Sequence, residues 1–134
     1  MCIRDRPLAT LEHIAGGWQQ TLAEAIVEDL TSVGLGTRAE GHSTSELASE
    51  LRAGDHDLFL IGAVAQSTSS EAYLLDLLGS DSPANLTGYE SKEIDDLATG
   101  SDLIEAQREA LTDLPLIPLV QLNHTLLVLS LIHI

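Results

Sequence analysis

The chain has 134 residues and a formal net charge of −15 at pH 7, with 21 acidic and 6 basic side chains. A field of that sign repels phosphate backbones and anionic lipid surfaces, which argues against binding to nucleic acid or to a membrane surface. The single cysteine, Cys2, excludes a disulfide within the chain.

The two ends of the chain resemble a translated sequencing adapter. Residues 1–5 can be encoded by ATG-TGT-ATA-AGA-GAC, and the reverse complement of that run, read in a shifted frame, gives the last base of a Leu codon followed by Ser-Leu-Ile-His, in agreement with Leu-Ser-Leu-Ile-His at residues 129–133. We therefore interpret residues 1–6 and 129–134 as foreign to the protein and leave them out of the fold prediction. Residues 7–128 are predicted to be an internal fragment, so we expect any secretory signal to lie upstream.

The first half of the fragment predicts helices that alternate with strands. Apolar side chains recur every four residues from Trp18 to Leu30 and Gly34 follows, which predicts an amphipathic helix over residues 18–33. A short strand is expected at 35–40. The capping-box pattern Ser-Thr-Ser-Glu at 43–46 predicts a helix that continues to residue 53.

The second half begins with the apolar run Leu-Phe-Leu-Ile at 58–61, which is typical of a strand buried on both faces. Three helices are then predicted, at 70–78, at 91–98 with Ser91 as the cap, and at 102–112. Residues 115–122 are predicted to return as a strand, whose prolines favour an edge position. The alternation predicts an α/β fold, a sheet covered by helices.

The apolar C-terminal stretch from residue 115 is not predicted to cross a membrane. Gln121, Asn123 and His124 interrupt it, and its last six residues belong to the adapter-like end. What remains is much shorter than the roughly 20 apolar residues that a spanning helix needs.

Four short segments stand in a fixed order: Asp-His-Asp-Leu-Phe-Leu-Ile-Gly at 55–62, Asn-Leu-Thr-Gly-Tyr at 85–89, Ser-Lys-Glu-Ile-Asp at 91–95, and Pro-Leu-Ile-Pro-Leu at 115–119. In order and spacing they resemble the C-terminal part of family 5 extracellular solute-binding proteins, the dipeptide and oligopeptide receptors of ABC importers. The resemblance covers residues 18–128. It implies part of the C-terminal lobe of a two-lobed periplasmic-binding-protein fold of the type II-like class, with the other lobe and the first strands of this one upstream.

The resemblance also implies a function. The fragment would belong to the substrate-binding component of an ABC importer, which captures a small solute, a peptide or a peptide-like molecule, and delivers it to the permease subunits. It would be a monomer without cofactor or enzymatic activity, located in the periplasm or outside the cell, either soluble or anchored by a lipid. Two alternatives stay open: an acidic α/β enzyme whose catalytic residues lie upstream, and a sensory or interaction domain on the same fold.

The loop after the strand at 58–61 is the candidate ligand site. Ligands of α/β lobes bind near the carboxyl ends of strands, where loops and helix N-termini present unpaired backbone groups. The candidate residues are neutral, and several can form hydrogen bonds: Gly62, Ala63, Val64, Gln66 and Ser67. An ordinary polar loop that caps the helix beginning near residue 70 is the alternative interpretation.

Peptide-binding members of the family typically carry Gly-Trp-x-x-Asp-x-x-x-Pro in this loop, where the Trp lines the pocket and the Asp pairs with the α-amine of the ligand. Gly62 matches this pattern, but Ala63 stands for the Trp, Gln66 for the Asp and Ser70 for the Pro. A glutamine can accept a hydrogen bond from an amine without the charge-assisted pairing of a carboxylate. These departures from the pattern therefore leave open a ligand other than a peptide. Asn85, Tyr89 and Asp95 match the family and are expected to form turns and packing contacts.

No catalytic or metal site is predicted from the sequence. The adjacent residues Asp55, His56 and Asp57 cannot all converge on one ion, so they are interpreted as a turn. His13, His42 and His124 lack ligand spacing among themselves and are interpreted as solvated or core histidines. The chain also lacks a Gly-x-Ser-x-Gly nucleophile elbow.

Overall fold

A computed structural model describes residues 8–54, 56–66, 68–100 and 102–122. The two adapter-like ends and Ser67 lie outside the described residues. Eight elements follow one another along the chain: β1 (Ala9–Ile14), α1 (Gly17–Ser32), β2 (Thr37–His42), α2 (Thr44–Ala53), β3 (Leu58–Leu60), α3 (Ser70–Leu78), α4 (Lys92–Thr99) and α5 (Leu103–Asp113). The three strands form one parallel sheet in the order β2-β1-β3.

The central strand of this sheet, β1, was not predicted from the sequence. No element was assigned to residues 9–14 from the sequence, but these residues pair with both β2 and β3. The strand contains Glu12 and His13 side by side, both of them buried, so it carries no continuous apolar run. Pairing with a strand on each side holds this segment in the sheet despite its polar composition, and such pairing is a feature of the tertiary structure.

Two crossover helices produce the parallel arrangement. Helix α1 connects β1 to β2, and α2 then crosses β1 so that β3 pairs on its other side. Neighbouring residues of a strand point to opposite faces. Leu11 packs with Ala23 of α1, while Glu12 lies on the opposite face, near Glu50 of α2. The connection after β1 thus runs to the strand on one side of it, and the connection after β2 runs to the strand on its other side. This reversal creates a topological switch point between β1 and β3.

Local signals placed the helices well. In α2, the Ser43 hydroxyl accepts from the Glu46 amide at 3.3 Å and the Glu46 carboxylate accepts from the Ser43 amide at 2.9 Å, which confirms the predicted capping box. Gly54, with φ of 73°, ends this helix in the left-handed conformation. The predicted helices α1, α3, α4 and α5 are also present, each within one or two residues of its expected bounds.

The apolar strand β3 differs from its prediction. Burial on both faces was expected, but only Leu60 is buried in this strand. Leu58, on the same face, is 41% exposed, and Phe59, on the opposite face, is half-buried. The reason is position, because β3 lies at the edge of the described sheet with β1 as its neighbour. Leu60 joins Leu11 and Ala23 in the core beneath α1, and the start of the strand extends beyond that cover.

A second apolar cluster holds the three C-terminal helices together. Ile94 of α4 is fully buried and packs with Leu78 of α3 and Ala110 of α5. The turn before α4 is organised by Asn85, whose amide donates to the carbonyls of Gly79 at 3.2 Å and Tyr89 at 2.8 Å. These bonds agree with the expectation that Asn85 forms a turn.

The predicted strand at 115–122 is wrong. Residues 114–122 have no regular secondary structure in the described part of the chain, and Leu114 turns the backbone with φ of 50°. Pro115 and Pro118 lack the amide hydrogens that a strand would use to pair. The segment instead reaches α1, where Val120 and Leu122 line an apolar groove with Trp18. None of the described helices is long and apolar enough to span a bilayer.

Candidate functional site

The carboxyl edge of the sheet presents two connections side by side. Strand β1 ends at Ile14 and strand β3 at Leu60, and the pairing of His13 with Leu60 sets the connections that follow next to each other. The connection after β1 ends at Gly16, and α1 begins at Gly17; their φ angles of 81° and 66° favour glycine. The Gly16 amide donates to the Gln20 side chain at 3.0 Å, at the first turn of α1.

The connection after β3 contains the predicted ligand-binding residues. Gly62, Ala63, Val64 and Gln66 are all exposed, and a Cβ atom added to Gly62 would meet nothing within 4 Å. The Gln66 amide makes one long contact, 3.5 Å to the carbonyl of Val64. The structure therefore places these four residues along one exposed loop, and none of them lines the apolar groove at α1 or the shallow pocket that lies between α2 and the sheet.

The end of this loop has the helix-capping role that was the alternative interpretation. The Ser69 hydroxyl accepts a hydrogen bond from the Ala72 amide at 3.2 Å and so caps α3. The capping contact lies beyond the candidate residues. It leaves Gly62 to Gln66 available for another role.

A second group of polar side chains was missed by sequence reasoning. Glu12 of β1, His42 of β2 and Glu50 of α2 converge in what we call the Glu12–His42–Glu50 cluster. The His42 Nε2 atom lies 2.5 Å from an oxygen of Glu12 and 3.4 Å from an oxygen of Glu50. The Glu12 and His42 side chains are 11% and 13% exposed, and Glu50 is 43% exposed. A histidine predicted to be solvated or part of the core is instead flanked by two carboxylates.

The cluster lies in a shallow pocket of about 260 Å³ between α2 and the sheet, which Glu40, Ser49 and Ala53 also line. The hydrogen bond that the His42 ring donates to the Glu12 carboxylate raises the pKa of His42 above its usual value, and the charges of Glu50 and Glu40 add to that effect. Burial opposes it, because a charged ring loses hydration. One potential ligand atom from each cluster residue lies within 4.8 Å of the others, so these three residues could hold a metal ion.

One signal in the sequence could have located this cluster. If β1 and β2 had been predicted as parallel neighbours, the register Glu12 to Glu40 and Ile14 to His42 would have set Glu12, Glu40 and His42 on one face of the sheet. Linear spacing along the chain does not reveal that arrangement.

Comparisons with known proteins show the fold of the chain and no more. No family model matches it, and no curated protein is similar in sequence. Among solved structures it is similar to the pheromone receptor PrgZ, studied for its mode of peptide binding, with a TM-score of 0.76 and 20% sequence identity. The similarity covers 86% of this chain and 24% of the receptor chain, so the present chain spans about a quarter of that protein's length. The predicted α/β class, part of a periplasmic-binding-protein fold, is thereby confirmed.

Proposed function

We propose that residues 7–128 are part of the solute-binding component of an ABC importer and that this component holds a small solute, a peptide or a peptide-like molecule. The observation that carries the proposal is the similarity of fold to a peptide-binding receptor over 86% of the chain. The four ordered segments that resemble family 5 solute-binding proteins support it independently, because they are features of the sequence.

The geometry of the carboxyl edge supports ligand binding at the loop after β3. In open α/β sheets, ligands bind outside the carboxyl ends of strands at a topological switch point, and here that point lies between β1 and β3. Both connections have open space beside a glycine, since a Cβ atom added to Gly16 or to Gly62 would meet nothing within 4 Å. We propose that a ligand binds in the space beside the connections that follow β1 and β3.

Each candidate residue then has a proposed role. Gly62 allows a ligand to approach the backbone, and Ala63 and Val64 provide apolar contact. Gln66 supplies an amide that can both donate and accept, and Ser67 supplies a hydroxyl. Neutral groups of this kind suit amide and hydroxyl groups of a solute better than a free ammonium.

Capture by such a site requires no covalent step. A ligand that contacts both lobes in the closed arrangement, and one lobe in the open arrangement, shifts the population toward closure. We therefore assign no enzymatic activity or cofactor to the protein. The partners we propose are the solute and the permease subunits, and the location is periplasmic or extracellular, with or without a lipid anchor.

The complete reading frame tests this proposal. We expect several hundred residues upstream, beginning with a secretory signal, and permease genes nearby. A frame that starts with a cytoplasmic globular domain and lacks an export signal would contradict the proposal.

A receptor role without transport is the second candidate, because the similar structure is that of a pheromone receptor. Genes for a signalling pathway beside the frame, in place of permease genes, would favour it. The binding site proposed above would be the same in both cases.

A further inference from the structure

We propose that Glu12, His42 and Glu50 form a binding site for a divalent transition-metal cation of the Zn²⁺ class. The site is separate from the loop after β3, and its existence does not depend on solute binding. It brings one imidazole nitrogen and two carboxylate oxygens together from β1, β2 and α2. Those donor types are the ones that Zn²⁺ accepts from nitrogen and oxygen ligands.

The distances suit tetrahedral coordination after a small movement. Two ligand atoms that each lie about 2.1 Å from a tetrahedral ion are about 3.4 Å apart. The Glu50 oxygen already lies 3.4 Å from His42 Nε2. The Glu12 oxygen lies at 2.5 Å, where it shares a hydrogen bond with the ring, and it would have to move by about 1 Å to bind a common ion.

The burial of the Glu12 carboxylate favours the binding of a cation at this site. Glu12 is a carboxylate in the central strand with a side chain that is 11% exposed, and burying such a charge is unfavourable unless a positive group pairs with it. His42 is the partner that the structure gives Glu12, but the same ring also faces Glu50 at 3.4 Å, so one imidazole stands against two carboxylates. Arg38, on the same strand as His42, directs its guanidinium to Glu40 at 3.3 Å. A divalent ion would balance both cluster carboxylates at once.

The pocket also provides access and a further ligand. Its open side exposes Glu50, and Glu40 and Ser49 line the same space. A water molecule that enters from the open side could complete the coordination of an ion held by the three proposed ligands. Three protein ligands with one open position is a common arrangement for zinc.

The test is metal titration of the complete protein after treatment with a chelator. Zn²⁺ binding is measured by calorimetry and Co²⁺ binding by visible absorption, in the wild type and in the variants Glu12→Gln and His42→Gln. We expect one equivalent in the wild type and at least about a 100-fold loss of affinity in each variant, since removing a direct ligand should cost no less than disrupting its supporting contacts. Glu93→Gln, which removes one exposed carboxylate from α4, is the matched control and should bind as the wild type does.

Circular dichroism shows whether each variant folds, and a second measurement covers a variant that does not. Zinc-edge X-ray absorption of the wild-type complex should give a first shell of one imidazole nitrogen with oxygen atoms. A shell that contains sulfur or several imidazoles would overturn the proposal. The same conclusion follows if the wild type takes up no metal, or if folded His42→Gln protein binds Zn²⁺ as tightly as the wild type.

Discussion

Gln66 is the residue whose substitution most directly tests the proposed solute site. Changing Gln66 to Asp adds a carboxylate that would pair with a ligand ammonium more strongly than a neutral amide does. For an uncharged or anionic ligand the same charge should weaken binding, because a desolvated carboxylate would lack a partner. We expect a change of about 1 to 3 kcal/mol in either direction if the lobes bury the site on closure.

Calorimetric titration of the complete protein with peptides, sugars and amides measures this effect. Gln107→Glu is the matched control, since it adds one negative charge at an exposed position of a different element, α5. It should leave every affinity unchanged. If Gln66→Asp also leaves every affinity unchanged, Gln66 lies outside the binding site and the loop has only its structural role.

The raised pKa of His42 predicts that stability depends on pH in protein that a chelator keeps free of metal. Glu12 from β1, Glu40 from β2 and Glu50 from α2 all raise its folded-state pKa, with the Glu12 hydrogen bond as the largest cause. A raised folded-state pKa stabilises the fold fully below the unfolded value of about 6.5, and this stabilisation is lost as pH rises through the folded-state value.

Denaturant unfolding of the complete protein between pH 5 and 9, with wild type and His42→Gln compared, isolates this contribution. We expect the difference in unfolding free energy to be largest at the acidic end and to shrink as pH rises. A difference that grows with pH would show that the neutral imidazole is the form that the fold stabilises.

At the scale of single elements, the cap of α2 is the best-defined feature. Ser43→Ala removes the hydroxyl that accepts from the Glu46 amide. The free energy of unfolding should therefore fall by about 1 kcal/mol, within a range of about 0.5 to 2 kcal/mol. Ser49→Ala makes the same change at an exposed position of α2, six residues beyond the cap, and leaves that bond intact, so its effect should stay within about 0.5 kcal/mol. Chemical denaturation of both variants in the complete protein checks the difference. Equal effects would mean that the cap contributes nothing specific.

The helices and strands differ in how far the sequence could predict them. Helix ends are marked by contacts within a few residues, such as Ser43 with Glu46, and all five helices were predicted. Strands depend on partners far along the chain. Strand β1 was not predicted because Glu12 and His13 make it polar. Residues 115–122 are apolar enough to suggest a strand, but their prolines lack the amide hydrogens that pairing requires.

The candidate sites differ for the same reason. The loop at 62–67 follows directly from the strand before it, so the sequence was enough to locate it. The Glu12–His42–Glu50 cluster depends on the register of β1 against β2 and on the way α2 folds back over the sheet. A strand that was not predicted could not supply that register. The roles of the loop residues stay a prediction until ligand binding is measured.

At the scale of the whole molecule, the sheet has an unprotected edge. In the described part of the chain, β3 pairs with β1 and has no strand on its other side, and Leu58 at its start is exposed. Further large apolar side chains are also exposed, among them Val64, Ile104, Leu111 and Ile117. An exposed apolar strand edge is a template for pairing with another copy.

Net charge acts in the opposite direction. A charge of −15 on a chain of this size makes copies repel one another, and that repulsion has a range of about 10 Å at 0.1 M salt. Contact between two open edges takes place at shorter range and buries apolar surface from both copies. We therefore expect charge to slow the association of copies without preventing it, and added salt to accelerate it.

The isolated 134-residue chain should accordingly self-associate in a salt-dependent way. Sedimentation velocity and light scattering at low and moderate salt measure this, and binding of a hydrophobic dye reports the exposed apolar surface. Leu58→Lys places a positive charge at the open edge and should reduce association, because edge lysines oppose strand pairing and desolvation. Leu111→Lys makes the same change on α5, away from the sheet, and serves as the control for net charge. A soluble monomer with one cooperative unfolding transition, at every salt concentration, would show that the edge of β3 needs no cover from the rest of the protein.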